Sequence, residues 1–194
     1  LIQYLRENTQ VKVIYLADVL KNHKEDGLLY YKNDTHWNSL GSYIGYLEVM
    51  KEIQKNNPQL PVLTNLTWKK TKHTRGDLTN LLGSSDQDLE SIYLEAELIP
   101  VQDCKVLRHQ GAQKDMFCRN PEGKLRLTLR GDSFSTVLLD YLRHSFKETE
   151  SLRRYNFTKQ DLENIKQNSD IIIIETVERY IPKSVTPVFP VEGV

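Results

Sequence analysis

The chain has 194 residues, enough for one sizeable domain, and its 39% hydrophobic and 27% charged residues are the balance of a folded globular protein rather than a disordered one. With 26 basic and 26 acidic side chains the formal charge is zero, which argues against a nucleic-acid partner, since such proteins carry a basic surplus. No apolar run approaches the roughly 18 residues that a membrane-spanning helix needs. The chain opens at Leu1 rather than Met, as a trimmed or excised domain would, so the lack of a leader or anchor carries no information.

In chain order, a short N-terminal helix precedes Val11–Leu16, an apolar, β-branched run expected to be a buried strand. Leu28–Tyr31 is a second apolar run and ends in the turn-like Lys32-Asn33-Asp34. Asn38 is placed to cap a helix reaching about Asn56, with Leu40, Tyr43, Ile44, Leu47 and Met50 on one face and Asn56-Asn57-Pro58 stopping it. From residue 59 to residue 123 the pattern is less regular. Turn signals stand at Gly76, Gly83-Ser84-Ser85 and Pro121-Glu122-Gly123, with strand candidates near Ile92, Val106 and Met116, and the stretch reads as an insertion or lid-like region. Leu125, Leu127 and Leu129 alternate with Arg126, Thr128 and Arg130, as a strand with one apolar face would. Gly131-Asp132-Ser133-Phe134 follows as a tight turn, and Val137, Leu138, Tyr141, Leu142 and Phe146 mark an amphipathic helix. Thr158 with Asp161 forms a capping-box pattern for a helix to about Asn168, and Ile171–Ile174 reads as a strand buried on both faces. The alternation of strands and helices implies an α/β fold with a mainly parallel sheet, here taken as one domain over residues 1–194.

Chemistry concentrates in two places. A turn at the carboxyl end of a parallel strand is where open α/β sheets hold their sites. A serine opening a helix there places its N–H among the unpaired donors of the helix N-terminus, where an oxyanion is favoured. Ser133 fits that description; the alternative is that Ser133 or Asp132 merely caps the helix. A serine nucleophile needs a base and the base an orienting acid. Of His23, His36, His73, His109 and His144, His36 has an acid placed to hold it: in an extended segment Asp34, two residues earlier, faces the same side. The alternative is a loop histidine with an incidental aspartate. His73 lies in the basic run Lys69–His73, expected to be solvated; His144 is expected on an exposed helix stripe; His23 and His109 have no evident partner. No Cys or His spacing suggests a metal site and no Walker-type loop occurs, so no cofactor is expected. Cys104 and Cys118 are either a disulfide closing a hairpin or loop, or two separate thiols.

Tyr30 to Tyr43, with Asp34-Thr35-His36-Trp37-Asn38-Ser39-Leu40-Gly41 at its centre, resembles the D-x-H-W-N-x-x-G signature of the AlgX/AlgJ family, extracytoplasmic SGNH-hydrolase-like proteins that O-acetylate alginate and related exopolysaccharides. Gly131–Ser135 resembles that family's later nucleophile block, Gly76-Asp77-Leu78 an intermediate Gly-Asp-Leu segment, and Val177–Tyr180 its closing Glu-Arg motif; the resemblance runs from about Leu1 to Pro182. The acid–histidine pair precedes the serine, whereas ordinary SGNH esterases place it last. The resemblance implies a three-layer SGNH-hydrolase-like fold with Ser133 as nucleophile, His36 as base and Asp34 as orienting acid. It also implies a polysaccharide acceptor, an acetyl donor presented by a membrane acyltransferase, and an extracytoplasmic protein that is anchored or secreted. A polysaccharide acetyl esterase and a non-catalytic glycan-binding module are the competing readings. Further site candidates are Gly76 for the oxyanion, Arg179 for an anionic sugar or, alternatively, an ion pair with Glu175 or Glu178, and Trp37 for stacking on a sugar or, alternatively, anchoring the core.

Overall fold

The structure, a computed structural model, describes residues 1–73, 76–83, 91–110, 113–153 and 157–181. Ser84, Ser85, the side chain of His109, and Pro182 lie outside the described residues. The chain forms two compact units, Leu1–Leu98 and Ile99–Val194.

The first unit holds helices α1 (Ile2–Asn8), α2 (Ala17–Asn22) and α3 (Ser39–Gln54), the antiparallel pair β1 (Trp68–His73) and β2 (Ser91–Ala96), and the short α4 (Asp77–Leu82). Asn38 caps α3 as expected: its side chain accepts from Gly41 N at 3.0 Å. Leu40 and Ile44 of α3 meet Leu20 of α2 and Leu29 in a buried cluster, with Leu16, Val19, Trp68 and Leu94 packed against it. Val11–Leu16 is a correction, because it joins no sheet. Val11 is 63% and Tyr15 42% exposed, and the Val13 carbonyl is taken by the Arg6 guanidinium instead of by a strand. β-Branched propensity becomes a strand only where a neighbouring ladder accepts the backbone, and no described strand lies alongside.

The second unit is built on a five-stranded sheet in the order β3-β4-β6-β5-β7, from β3 (Asp103–Gln110), β4 (Gln113–Arg119), β5 (Arg126–Arg130), β6 (Glu148–Leu152) and β7 (Ile171–Ile174). β5 runs parallel to β6 and β7, while β4 is antiparallel to β3 and β6, so the α/β class holds and the parallel part is confined to three strands. Helix α5 (Ser135–Leu142) joins β5 to β6, and α6 (Lys159–Asn168) joins β6 to β7. The Thr158–Asp161 capping box on α6 forms in both directions. Leu127, Leu129, Leu138, Leu142, Phe146 and Leu152 are buried together with the fully covered Tyr141.

Three expectations need amending here. Leu125 stands before the strand in a left-handed backbone (φ 62°), and β5 buries Leu127, Thr128 and Leu129 in succession, as a central parallel strand does. Among the described strands β7 lies at the edge, and Ile172 and Ile174 remain 50% and 70% exposed while Ile171 and Ile173 turn inward. β6 has no counterpart in the sequence reading. Cys104 and Cys118 stand opposite each other on β3 and β4, their Cα atoms 4.1 Å apart, and form a disulfide.

Candidate active site

In the first unit, residues 30–37 fold back on themselves: Tyr30 bridges Trp37, and Tyr31 N donates to His36 O at 3.3 Å. The Asp34-Thr35-His36 segment sits at the tip. His36 donates twice to Asp34 Oδ1, from its backbone N at 2.9 Å and from ring Nδ1 at 2.6 Å. A carboxylate accepts only, so this partner places the proton on Nδ1 and the imidazole lone pair on Nε2. The other Asp34 oxygen accepts from Asp77 N at 3.2 Å. Burial alone would raise the Asp34 carboxyl, but the donors from His36 and Asp77 outweigh it and hold the group below its ordinary value. Asp34 is therefore ionised at neutral pH, as an orienting acid must be.

Asp77 is the residue that sequence reasoning passed over. It opens α4, yet its carboxylate turns away from that helix and accepts both the Thr35 N–H, at 2.7 Å, and the Thr35 hydroxyl. Its Oδ2 lies 3.8 Å from His36 Nδ1. Gly76 permits this: a Cβ there would run into the Asn33 carbonyl and come within 2.6 Å of the Asp34 Cβ. Gly76 thus seats the Asp34 segment. Although no ligand spacing is visible along the chain, one donor atom each from Asp34, His36 and Asp77 lie within 4.8 Å of one another, the geometry a metal could use. Those same atoms already serve the hydrogen bonds just described.

Trp37 is 4% exposed and packs where a Cβ on Gly45 would come within 3.2 Å, so of its two readings the core anchor is the one the packing favours over stacking on a sugar. His73 is a correction, since it alternates inward on β1 and stacks on Tyr31 with ring centres 4.0 Å apart, while Lys69, Lys70 and Lys72 face solvent. His23 does have a partner, Asp26, at 2.6 Å.

In the second unit, Ser133 follows the carboxyl end of β5, the strand between β6 and β7, and lies on the turn into α5. The turn is held by the buried Asp132. One carboxylate oxygen accepts from Phe134 N at 2.9 Å and the other from Val177 N at 2.7 Å. The Asp132 carbonyl accepts from the Ser135 hydroxyl at 2.7 Å, so Asp132 shapes the turn and Ser133 is left on its half-buried outer side. Gly131 is packed so closely that a Cβ would strike Ser135 and come 2.9 Å from Glu175 Oε2. The Arg179 guanidinium lies 5.7 Å from the Phe134 ring centre and 5.2 Å from that of Tyr180. Among the described residues it makes no ion pair with Glu175 or Glu178, and it stays exposed. His144, expected on an exposed stripe of α5, falls beyond the helix end. There burial, with the Arg143 charge, pushes its imidazole below the ordinary value.

Asp34, His36, Trp37 and Gly76 therefore belong to the first unit, and Ser133 and Arg179 to the second. The sequence was compared with known proteins, and no curated protein matches it. Among solved structures, Bacillus cereus PatB1 carrying a sulfonyl adduct is similar at TM-score 0.65 and 16% identity, over 92% of this chain and 72% of that one. A DHHW family protein from Eubacterium siraeum is similar at TM-score 0.64 and 15% identity, over 90% and 68%. The O-acetyltransferase domain of Pseudomonas putida AlgJ is similar at TM-score 0.52 and 17% identity, over 93% and 63%. At these identities the likeness concerns the fold. Residues 2–163 match the family described as SGNH hydrolase-like domain, acetyltransferase AlgX, a span that includes the acid–histidine tip and the turn after β5; the chain belongs to that family.

Proposed function

We propose that the protein is a serine-dependent O-acetyltransferase that acetylates an extracellular or cell-wall polysaccharide, with Ser133 as nucleophile, His36 as base and Asp34 as its orienting acid, the 194 residues acting as one catalytic domain with residues 59–123 as an insertion. The observation that carries this reading is the 2.6 Å bond from His36 Nδ1 to an ionised Asp34, which leaves Nε2 as a proton acceptor. In this mechanism Nε2 takes the Ser133 hydroxyl proton as Oγ bonds to the acetyl carbonyl carbon. The tetrahedral intermediate collapses, and the leaving group departs with the proton from His36. A sugar hydroxyl then attacks the acetyl-serine and passes its proton to His36, and the second tetrahedral intermediate collapses as His36 returns that proton to Ser133 Oγ, releasing the acetylated sugar and the free serine. The Ser133 N–H and a donor near Gly76 stabilise the oxyanion; each such donor is worth about 10²–10³ in rate.

The exposed Arg179, steadied over Phe134 next to the nucleophile, is suited to an anionic group on the acceptor. The acetyl donor is presented by a membrane acyltransferase. The Cys104–Cys118 disulfide supports an oxidising, extracytoplasmic location. The sulfonyl adduct on PatB1 supports nucleophile chemistry in a similar fold, since sulfonylation marks an activated nucleophile.

The test incubates the protein with an acetyl-ester donor and glycan oligomers. Acetylated oligomer is the expected product, whereas free acetate alone, with or without acceptor, identifies an esterase. A sulfonyl fluoride should label Ser133 in the wild type and not in His36→Ala. Labelling that persists without His36 overturns the base assignment.

A further inference from the structure

Glu175 follows β7 directly and enters none of the steps above. Its Oε2 accepts from Asp132 N at 3.1 Å, its own N donates to Arg130 O at 2.8 Å, and the same Oε2 fills the space beside Gly131. Its carboxyl also lies within hydrogen-bonding reach of the Asp132 carboxyl. Two carboxylates cannot share such a place when both are ionised and withdrawn from water. The two Asp132 oxygens are already committed as acceptors to Phe134 N and Val177 N. The proton of the pair therefore belongs on Glu175. The charged groups that reach it are Asp132 from the turn and Arg153 from the end of β6.

We propose that Glu175, as a neutral carboxylic acid, is the positioning residue of the nucleophile turn: it donates its proton to the Asp132 carboxylate while accepting the Asp132 N–H, and its ionisation releases Ser133 from its working position. This rests on Ser133 being the nucleophile. Burial first, and then the Asp132 charge, push the Glu175 carboxyl up to about 8, so the working form is the one present at neutral pH. The sign is opposite to that of an ordinary ion-paired carboxylate. The folded protein holds this proton more tightly than the unfolded chain does, so rising pH destabilises the fold from the ordinary glutamate range up to about 8 and leaves a plateau beyond.

The experiment measures steady-state ester turnover and thermal midpoint from pH 5 to 10 in the wild type, Glu175→Gln and Glu175→Ala, with Ser133→Ala subtracting uncatalysed hydrolysis. A glutamine amide makes the same two hydrogen bonds with no proton to lose. Glu175→Ala should lower kcat on the order of 10²-fold with KM little changed, the scale of a displaced nucleophile. Glu175→Gln should restore kcat to within about threefold of wild type at pH 7. Wild-type kcat should fall about tenfold per pH unit above about 8, a limb absent in Glu175→Gln. The wild-type midpoint should decline from pH 5 to 8 relative to that of Glu175→Gln. A Glu175→Gln variant that keeps the alkaline limb and the wild-type midpoint profile overturns the proposal, as does one that folds normally but is inactive at every pH. If Ser133→Ala retains full turnover, the serine mechanism falls instead, and the midpoint profiles still decide whether the pair holds a proton.

Discussion

The Asp34 tip and the Ser133 turn solve one mechanical problem with opposite electrostatics. Each is a short loop pinned by a carboxylate that captures two donors: Asp77 takes the Thr35 N–H and hydroxyl, and Asp132 takes the N–H groups of Phe134 and Val177. At the tip, a second carboxyl, Asp34, is surrounded by donors and stays acidic. At the turn, the second carboxyl, Glu175, is withdrawn from water beside another carboxylate and keeps its proton. The lesson is that a carboxyl works as a charge where N–H donors outweigh its burial, and as a hydrogen-bond donor where burial and a neighbouring carboxylate win.

Substitutions on the two loops test that contrast. Ser133→Ala should remove ester turnover on the order of 10⁶-fold while the thermal midpoint barely moves; unaltered turnover would dissolve the catalytic meaning of both loops. Asp34→Asn keeps the shape but presents an amide to His36, favours the wrong tautomer, and should lower kcat about 10⁴-fold in the same assay. Gly76→Ala and Gly131→Ala each push a methyl into backbone or neighbouring side chain, and should each cost about 1–3 kcal/mol by denaturant unfolding. The first should also lower the rate of sulfonyl labelling, since it displaces Asp34. Thr35→Val removes the hydroxyl donated to Asp77 but spares the N–H, and should cost about 1 kcal/mol. A Thr35→Val loss as large as that of Gly76→Ala would mean that the side chain, rather than the backbone, pins the tip.

What the sequence disclosed is local. The Asn38 cap, the Thr158–Asp161 box, β5 leading into the Gly131–Ser133 turn, and the Asp34–His36 pair are each written within a few residues, so spacing reveals them. What it concealed is made by partners far apart. Asp77 joins the tip from 42 positions beyond Thr35, and Glu175 joins the turn from 43 beyond Asp132, and an acid at either place looks ordinary when read along the chain. β6 was hidden because Glu148-Thr-Glu-Ser-Leu152 lacks an apolar run; it is a strand because β5 and β4 flank it. Val11–Leu16 erred in the other direction, for propensity without a neighbour to pair with.

Asn38 does more than begin a helix. While its Oδ1 holds Gly41 N, its Nδ2 donates to Leu28 O and its backbone N to Leu29 O, so one residue clasps the first turn of α3 to the strand-like segment on the far side of the Asp34 tip. His36 is two residues from that clasp. The start of the 16-residue α3 and the base of the Asp34 tip therefore hang on one side chain, and a change at position 38 reaches both.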